Sequence, residues 1–239
     1  MRRSHRVIII AAIGLVGLSL VLAGGYQLMN ARTLQVAGRL VHRVETPDKL
    51  IALTFDDGPT SSDEAAAILD TLAARSVRAT FFVTGREVDR DPEAASRIVA
   101  AGHELGNHTW SHPRMIFRPP AEIAEEIEST DRVIRAAGYR GEITFRPPYG
   151  KKLLALPLYL AAHDRTTIMW DVEADSDGGP DQSAAEIAGR TLAHSRPGSI
   201  ILLHPWHGRS ATQQAIGPII DSLHRQGYRF VTVSELING

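Results

Sequence analysis

The sequence predicts an α/β fold: a distorted (β/α) barrel of about seven to eight strands, preceded by an N-terminal transmembrane helix. Three observations predict it. Short apolar runs alternate with segments of helical spacing from Leu50 to Val231, the pattern of parallel strands joined by helical crossovers. Polar residues of catalytic type follow the strand runs five times, as expected where a site forms at the C-terminal ends of such strands. A charge-free apolar run opens the chain.

That run extends from Val7 to Gly25, with Ser19 its one polar side chain, behind Arg2, Arg3 and Arg6. It matches the roughly 17–25 residues a bilayer-spanning helix needs. Arginines before it hold the N-terminus in the cytoplasm. A signal anchor is expected, giving a single-pass protein of the cytoplasmic membrane. The rival reading is a secreted protein, cleaved near Ala23-Gly24-Gly25. Either way the remainder lies outside the membrane. The expected organisation is an anchor over residues 1–29, a stalk over 30–48 and a catalytic domain over 49–239.

Within that domain Leu50–Phe55 reads as a strand, stopped by Asp56-Asp57-Gly58-Pro59. Ser61–Arg75 reads as a helix opened by Ser-Ser-Asp-Glu, with Ala66, Leu69, Leu72 and Ala73 at helical spacing. Arg78–Val83 is the next strand. Pro92–Ala101 is a helix with proline at its preferred first position. His103–Gly106 is a short strand, Pro120–Ala137 an amphipathic helix carrying Ile123, Ile127 and Ile134, and Ile143–Phe145 a strand. Lys151–His163 (helix), Thr167–Trp170 (strand), Ser183–Ser195 (helix), Ser199–Leu203 (strand), Ala211–Gln226 (helix) and Arg229–Val231 (strand) complete the alternation.

The 239 residues carry a net charge of -1, are 44% hydrophobic and 22% charged. That balance excludes wholesale disorder, and no basic block points to nucleic acid. There is no cysteine, so disulfides, thiolate metal sites and a cysteine nucleophile are excluded. A metal would have to use His, Asp or Glu, and there are ten histidines.

Asp56 and Asp57 are adjacent, so in a regular strand they would face opposite ways. The Gly-Pro break allows both into one site. Two close carboxylates want a cation nearby, although an Asx-turn would also explain the pair. His108 and His112 stand at i and i+4 in Asn107-His-Thr-Trp-Ser-His-Pro113. One helical turn would put both imidazoles on one side, in reach of a single ion, with Pro113 ending the turn. A surface histidine pair is the plainer reading of that spacing alone. Two histidines and a carboxylate form a ligand set for a catalytic divalent ion. Arg146-Pro-Pro-Tyr149 is a stiff loop whose arginine could pair with a carboxylate. His204, ending an apolar strand, has the chemistry of a general acid. His207 is unassigned, and the other histidines read as surface or packing residues.

In this order the motifs resemble those of the polysaccharide deacetylases, the carbohydrate esterase group that includes the nodulation chitooligosaccharide deacetylase. The resemblance runs from about Leu50 to Leu236. It implies that Asp56 is the general base, that Asp57, His108 and His112 hold the metal, and that Arg146 orients the base. It further implies that the Tyr149 N–H binds the oxyanion and that His204 is the general acid. The metal would be Zn²⁺, with Co²⁺ or Ni²⁺ able to substitute. One motif departs: where the family has Asp-x-x-Asp-Trp, this chain has Asp171-Val-Glu-Ala-Asp-Ser-Asp177 with no following Trp. Asp175 is the preferred partner for His204, with Glu173 and Asp177 as alternatives. The implied activity is removal of N-acetyl groups from an N-acetylglucosamine-type glycan, peptidoglycan or chitooligosaccharide. Alternatives are an O-acetyl esterase or small-amide hydrolase, and a non-catalytic, membrane-tethered glycan-binding module.

Overall fold

A computed structural model describes residues 2–176 and 182–239. The chain opens with helix α1 (Arg2–Asn30); Ile8–Asn30 is 23 residues long, apolar enough to cross a membrane, and its most apolar window is unburied. The remaining elements are β1 (Leu40–Val41), β2 (Leu50–Gly58), α2 (Ser62–Ala73), β3 (Thr80–Val83), α3 (Gly85–Arg90), α4 (Pro92–Ala100) and β4 (Glu104–Asn107). There follow α5 (Pro120–Ala136), α6 (Ala155–Ala162), β5 (Thr167–Ile168), β6 (Val172–Glu173), α7 (Ala184–His194), β7 (Ile200–Leu203), α8 (Ser210–Arg225), β8 (Arg229–Val231) and α9 (Val233–Asn238).

Local chemistry sets the helix starts. The Ser61 side chain accepts from the Glu64 N–H at α2. Asp91 caps α4 ahead of Pro92. Ser183 with Glu186, and Thr232 with Glu235, close reciprocal caps on α7 and α9. Each such cap satisfies amide donors that the first turn leaves without partners.

All named strand pairs are parallel. The six-stranded sheet runs β4-β3-β2-β7-β6, with β8 also on β2, and β1 pairs with β5. Strand β2 is buried on both faces, as parallel strands under helices are. Ile51, Leu53 and Phe55 enter the core beneath α2, α4, α7 and α8. The alternate residues Ala52, Thr54 and Asp56 are equally buried but lie on the opposite face, where Ala52 packs with Phe82, Met169, Trp170 and Leu202.

The expected barrel is only partly formed. Residues 143–145 make no strand; Phe145 alone bridges Asn107 to Thr167. Where the arms meet on the other side, a single antiparallel bridge, Arg43–Ser199, replaces a ladder. Among the described residues the strands number eight, and at these two places single bridges stand where a regular barrel would have ladders. The helix expected from Lys151 begins only at Ala155, because Pro148–Gly150 forms a 3₁₀ turn with Tyr149 at φ 58°. The Thr167–Trp170 strand ends at Ile168. Leu40–Val41, in the segment read as a stalk, is held in the sheet by β5.

Glu104 on β4 is 4% exposed. Burial pushes its carboxyl up to about 7, against the lowering influence of the Ser234 N–H. The folded state therefore binds this proton more tightly than the unfolded chain does. Stability from this group is present below pH about 4.5 and is lost as pH rises through about 7. A difference of that size corresponds to about 3 kcal/mol. Urea midpoints between pH 5 and 8 should fall with rising pH, and Glu104→Gln should flatten that slope; an unchanged slope would remove Glu104 as its source.

Candidate metal centre and catalytic cleft

The site lies at the C-terminal ends of β2, β4 and β7. Asp56 keeps the inward parity of Ala52 and Thr54. Asp57 would then point away, but the β2–β3 register slips between Asp56 and Gly58, and Asp57 adopts φ 75°. That bulge brings the second carboxylate round to the same site. Gly58 is required there: a Cβ would stand 2.1 Å from the Trp206 ring.

The two histidines converge without the expected helical turn. The loop after β4 instead uses left-handed residues, Thr109 at φ 67° and His112 at φ 58°. It is pinned by Asn107 Oδ1, which accepts from the Thr109 N–H at 2.8 Å, and by Glu126 on α5, which accepts from the Ser111 N–H at 2.8 Å. The imidazole centroids are 4.9 Å apart.

Asp57 Oδ1 lies 3.4 Å from His108 Nε2 and 3.0 Å from His112 Nε2. Ligand atoms of the three residues all fall within 4.8 Å of one another. Their chemistry fits a cation. His108 Nδ1 is 2.7 Å from the Arg146 carbonyl, which can only accept, so that nitrogen carries the proton and Nε2 presents a lone pair. Asp57 Oδ1 is buried, and no donor is aligned on it for a hydrogen bond. Lone pairs facing one another at this distance repel unless a positive charge sits between them. Were the imidazoles to carry protons on these nitrogens instead, their hydrogen bonds and charge would more than offset burial and hold the Asp57 carboxyl well below the usual carboxylate range.

Asp56 is 2% and Arg146 0% exposed. Arg146 donates to Asp56 Oδ1 at 2.6 Å and to Thr54 Oγ1 at 2.7 Å. It also donates to the carbonyls of Ile168 and Met169, and the guanidinium lies 4.0 Å over the Phe82 ring. Burial works against its charge, and Asp56 works for it.

Across the cleft His204 ends β7. Its Nδ1 is 3.2 Å from Asp175 Oδ1, and its backbone N–H donates to Asp175 Oδ2 at 2.6 Å. Burial alone would depress the imidazole, but Asp175, with Asp56 and Asp57 behind it, raises it to about 9. Glu173 is engaged elsewhere, accepting from Trp170 Nε1 at 2.7 Å and from Arg32 at 2.9 Å. Asp177 lies outside the described residues. Tyr149, half-exposed, packs against His112 at the cleft mouth, its ring tilted and the centroids 4.6 Å apart.

The cleft, of about 350 Å³, is therefore lined by every site residue expected from the sequence except two. Arg146 lies beneath its floor on Asp56, and Asp175 behind His204. Sequence reasoning missed Thr54, Trp170 and Arg32. Thr54 was legible in principle, since it shares parity with Asp56. Arg32 carried no signal, because its place depends on how the stalk folds back.

Residues 43–167 match the family model described as polysaccharide deacetylase. The chain belongs to the polysaccharide deacetylase family. It is 36% identical over 192 residues to a peptidoglycan-N-acetylglucosamine deacetylase of Listeria monocytogenes, covering 79% of this chain but only 39% of that protein. A Bacillus cereus peptidoglycan-N-acetylglucosamine deacetylase is 31% identical, with 86% of this chain and 96% of the relative covered. The crystal structure of a family pseudoenzyme from Bacillus anthracis aligns at a TM-score of 0.75 and 30% identity, over 84% of this chain and 70% of that one. Family membership makes this chain one of a group of hydrolases. Because the group also contains a pseudoenzyme, the fold by itself does not decide activity; turnover depends on the side chains in the cleft.

Proposed function

We propose that this chain removes N-acetyl groups from an N-acetylglucosamine-type glycan of the cell envelope, such as peptidoglycan or a chitooligosaccharide, and releases acetate. We further propose that α1 holds it in the cytoplasmic membrane with the cleft outside. The observation that carries the reading is the opposition of two charged pairs, Arg146–Asp56 and Asp175–His204, across three converging cation ligands. A glycan-binding module has no use for a buried acid held against a base. The names of the relatives support the substrate class.

A divalent cation on Asp57, His108 and His112, Zn²⁺ foremost for a His₂–carboxylate set and with Co²⁺ or Ni²⁺ able to stand in, would supply a Lewis acid that acidifies water and polarises the acyl oxygen. Asp56 accepts the proton of the attacking water, its carboxylate aimed by Arg146. The Tyr149 N–H donates to the developing oxyanion, a role worth about 2.7–4 kcal/mol of barrier in comparable sites. His204 gives its proton to the departing amine while Asp175 holds the ring. One water is consumed; one acetate and one free amine leave.

Acetate release from peptidoglycan, chitooligosaccharides and acetylated xylan, with and without chelator, tests the reading. Chelator-sensitive release from the first two is expected. Release from xylan alone would favour the ester alternative, and none from any would favour the binding module.

His204 must be protonated to act as the acid, so its pKa sets the alkaline limb of activity. Asp175→Asn removes the largest influence raising that pKa. The alkaline limb of kcat/KM should move to lower pH by about one unit or more, and an unmoved limb would separate Asp175 from the acid.

A further inference from the structure

The anchor does not merely precede the catalytic domain; it is bolted to one lip of the cleft. Lys152, 1% exposed, donates its Nζ to the Ala31 carbonyl. Its backbone N–H reaches the Met29 carbonyl, and Lys151 donates to Asn30 Oδ1. Two residues beyond the end of α1, Arg32 lines the cleft itself, bonded to Glu173 and stacked 4.7 Å over Trp170. The stalk then runs along α6, where Gly38 packs against Ala161.

Helix geometry sets the depth. A hydrocarbon core of about 30 Å takes about 20 helical residues at 1.5 Å each. Counted from Val7, the first residue past the arginines, it ends at Tyr26, a residue type enriched at that boundary. Met29 to Arg32 then fall about 5–13 Å beyond it, in the headgroup layer or just above.

The surface beside this exit is apolar where a water-facing surface would be polar. Leu154 and Leu158, one turn apart on the α6 edge, are 55% and 57% exposed. Leu34 and Val36 are exposed on the stalk between its two attachments, and Phe117 is 85% exposed. The Phe117 loop belongs to the same side of the molecule, because its Arg114 lies 4.7 Å over Tyr149, two residues ahead of Lys151. Exposed aliphatic and aromatic side chains set among Arg114 and Lys151 are the composition of an interfacial surface facing anionic headgroups.

We propose that this lip of the cleft, formed by Leu154, Leu158, Phe117 and the Arg32 stalk, is seated in the outer-leaflet headgroup layer, so that the enzyme takes glycan held at the membrane surface. The proposal rests on the reading of α1 as an anchor and narrows the substrate to membrane-tethered chains. The tether would raise the local concentration of such a glycan at the cleft without any new contact.

The chain has no cysteine, so single-cysteine variants label at one place. The full-length protein would be reconstituted in vesicles containing anionic lipid, carrying a fluorophore at Leu154→Cys or at Gln226→Cys. Gln226 adjoins the start of β2 through Lys49, about 25 Å from the cleft by strand rise. The Leu154 label should be shielded from a water-soluble quencher and quenched from the headgroup depth, and the Gln226 label should show the reverse. Equal exposure of the two labels, or protein that fails to float with the vesicles, overturns the seating. In the same vesicles, lipid-conjugated chitotetraose should release acetate at least tenfold faster than free chitotetraose at equal concentration; equal rates overturn the substrate claim. Acetate from neither would sink the deacetylase reading, and the quenching would still decide the seating.

Discussion

Asp56→Asn is expected to fold, to keep its metal and to lose about 10³-fold in kcat/KM, in the middle of the range for removing a general base. That loss corresponds to about 4 kcal/mol of transition-state stabilisation. The amide retains an oxygen where Asp56 Oδ1 now accepts from Arg146 at 2.6 Å. Arg146 also keeps Thr54 and the carbonyls of Ile168 and Met169, so its donors stay partnered, although the loss of its counter-charge costs some stability. What the variant lacks is an anion to take a proton from water. Metal content by elemental analysis and acetate release, measured on the same preparation, separate the two roles. Parental turnover in a metal-loaded Asn variant would show that the base is another group.

Arg146→Met should act first on the fold. The guanidinium is wholly buried and stands against a carboxylate that is 2% exposed. Removing one partner of such a pair leaves the other as an uncompensated buried charge, at a cost of about 3–5 kcal/mol. For a domain of this size that is a fall in melting temperature of about 10 °C. The double variant with Asp56→Asn removes both charges and should recover a measurable part of the loss, because the two sites share one interaction. Thermal unfolding of the four proteins in the cycle reads the coupling. A single Arg146→Met variant that melts with the parent would mean that Asp56 is neutral in the folded protein.

The parts of the site legible in the sequence were those whose chemistry is local. Asp56-Asp57 stood out because two carboxylates meet a Gly-Pro break, and the histidine pair because four residues separate two metal-ligating rings. Helices α2 and α4 were legible from their starts, since a Ser or Asp ahead of an apolar stripe satisfies amides that nothing else can reach, whereas the short α3 and α9 were not expected. How the pairs converge was not legible. The turn expected between His108 and His112 is a loop with two left-handed residues, held by Asn107 at its start and by Glu126, which belongs to α5 rather than to the motif.

The acidic segment after Trp170 shows the same division. The sequence favoured Asp175 over Glu173 and Asp177, but only by the family pattern. Strand register chooses among the described ones: Val172 lies opposite Ile201 and Glu173 opposite Leu202, and two places further on Asp175 is level with His204. Glu173 is left facing Trp170 and Arg32.

By itself, then, the sequence determined an apolar N-terminal helix, an alternating α/β chain and the residues able to bind a cation and move protons. Those are properties of side-chain type and short spacing, which the covalent chain carries with it. The tertiary structure alone decided the bulge that turns Asp57 beside Asp56, the left-handed loop that brings His108 and His112 together, the partly formed barrel and the return of Arg32 to the cleft. Each of these depends on contacts between segments distant along the chain, where packing and register outweigh any local preference.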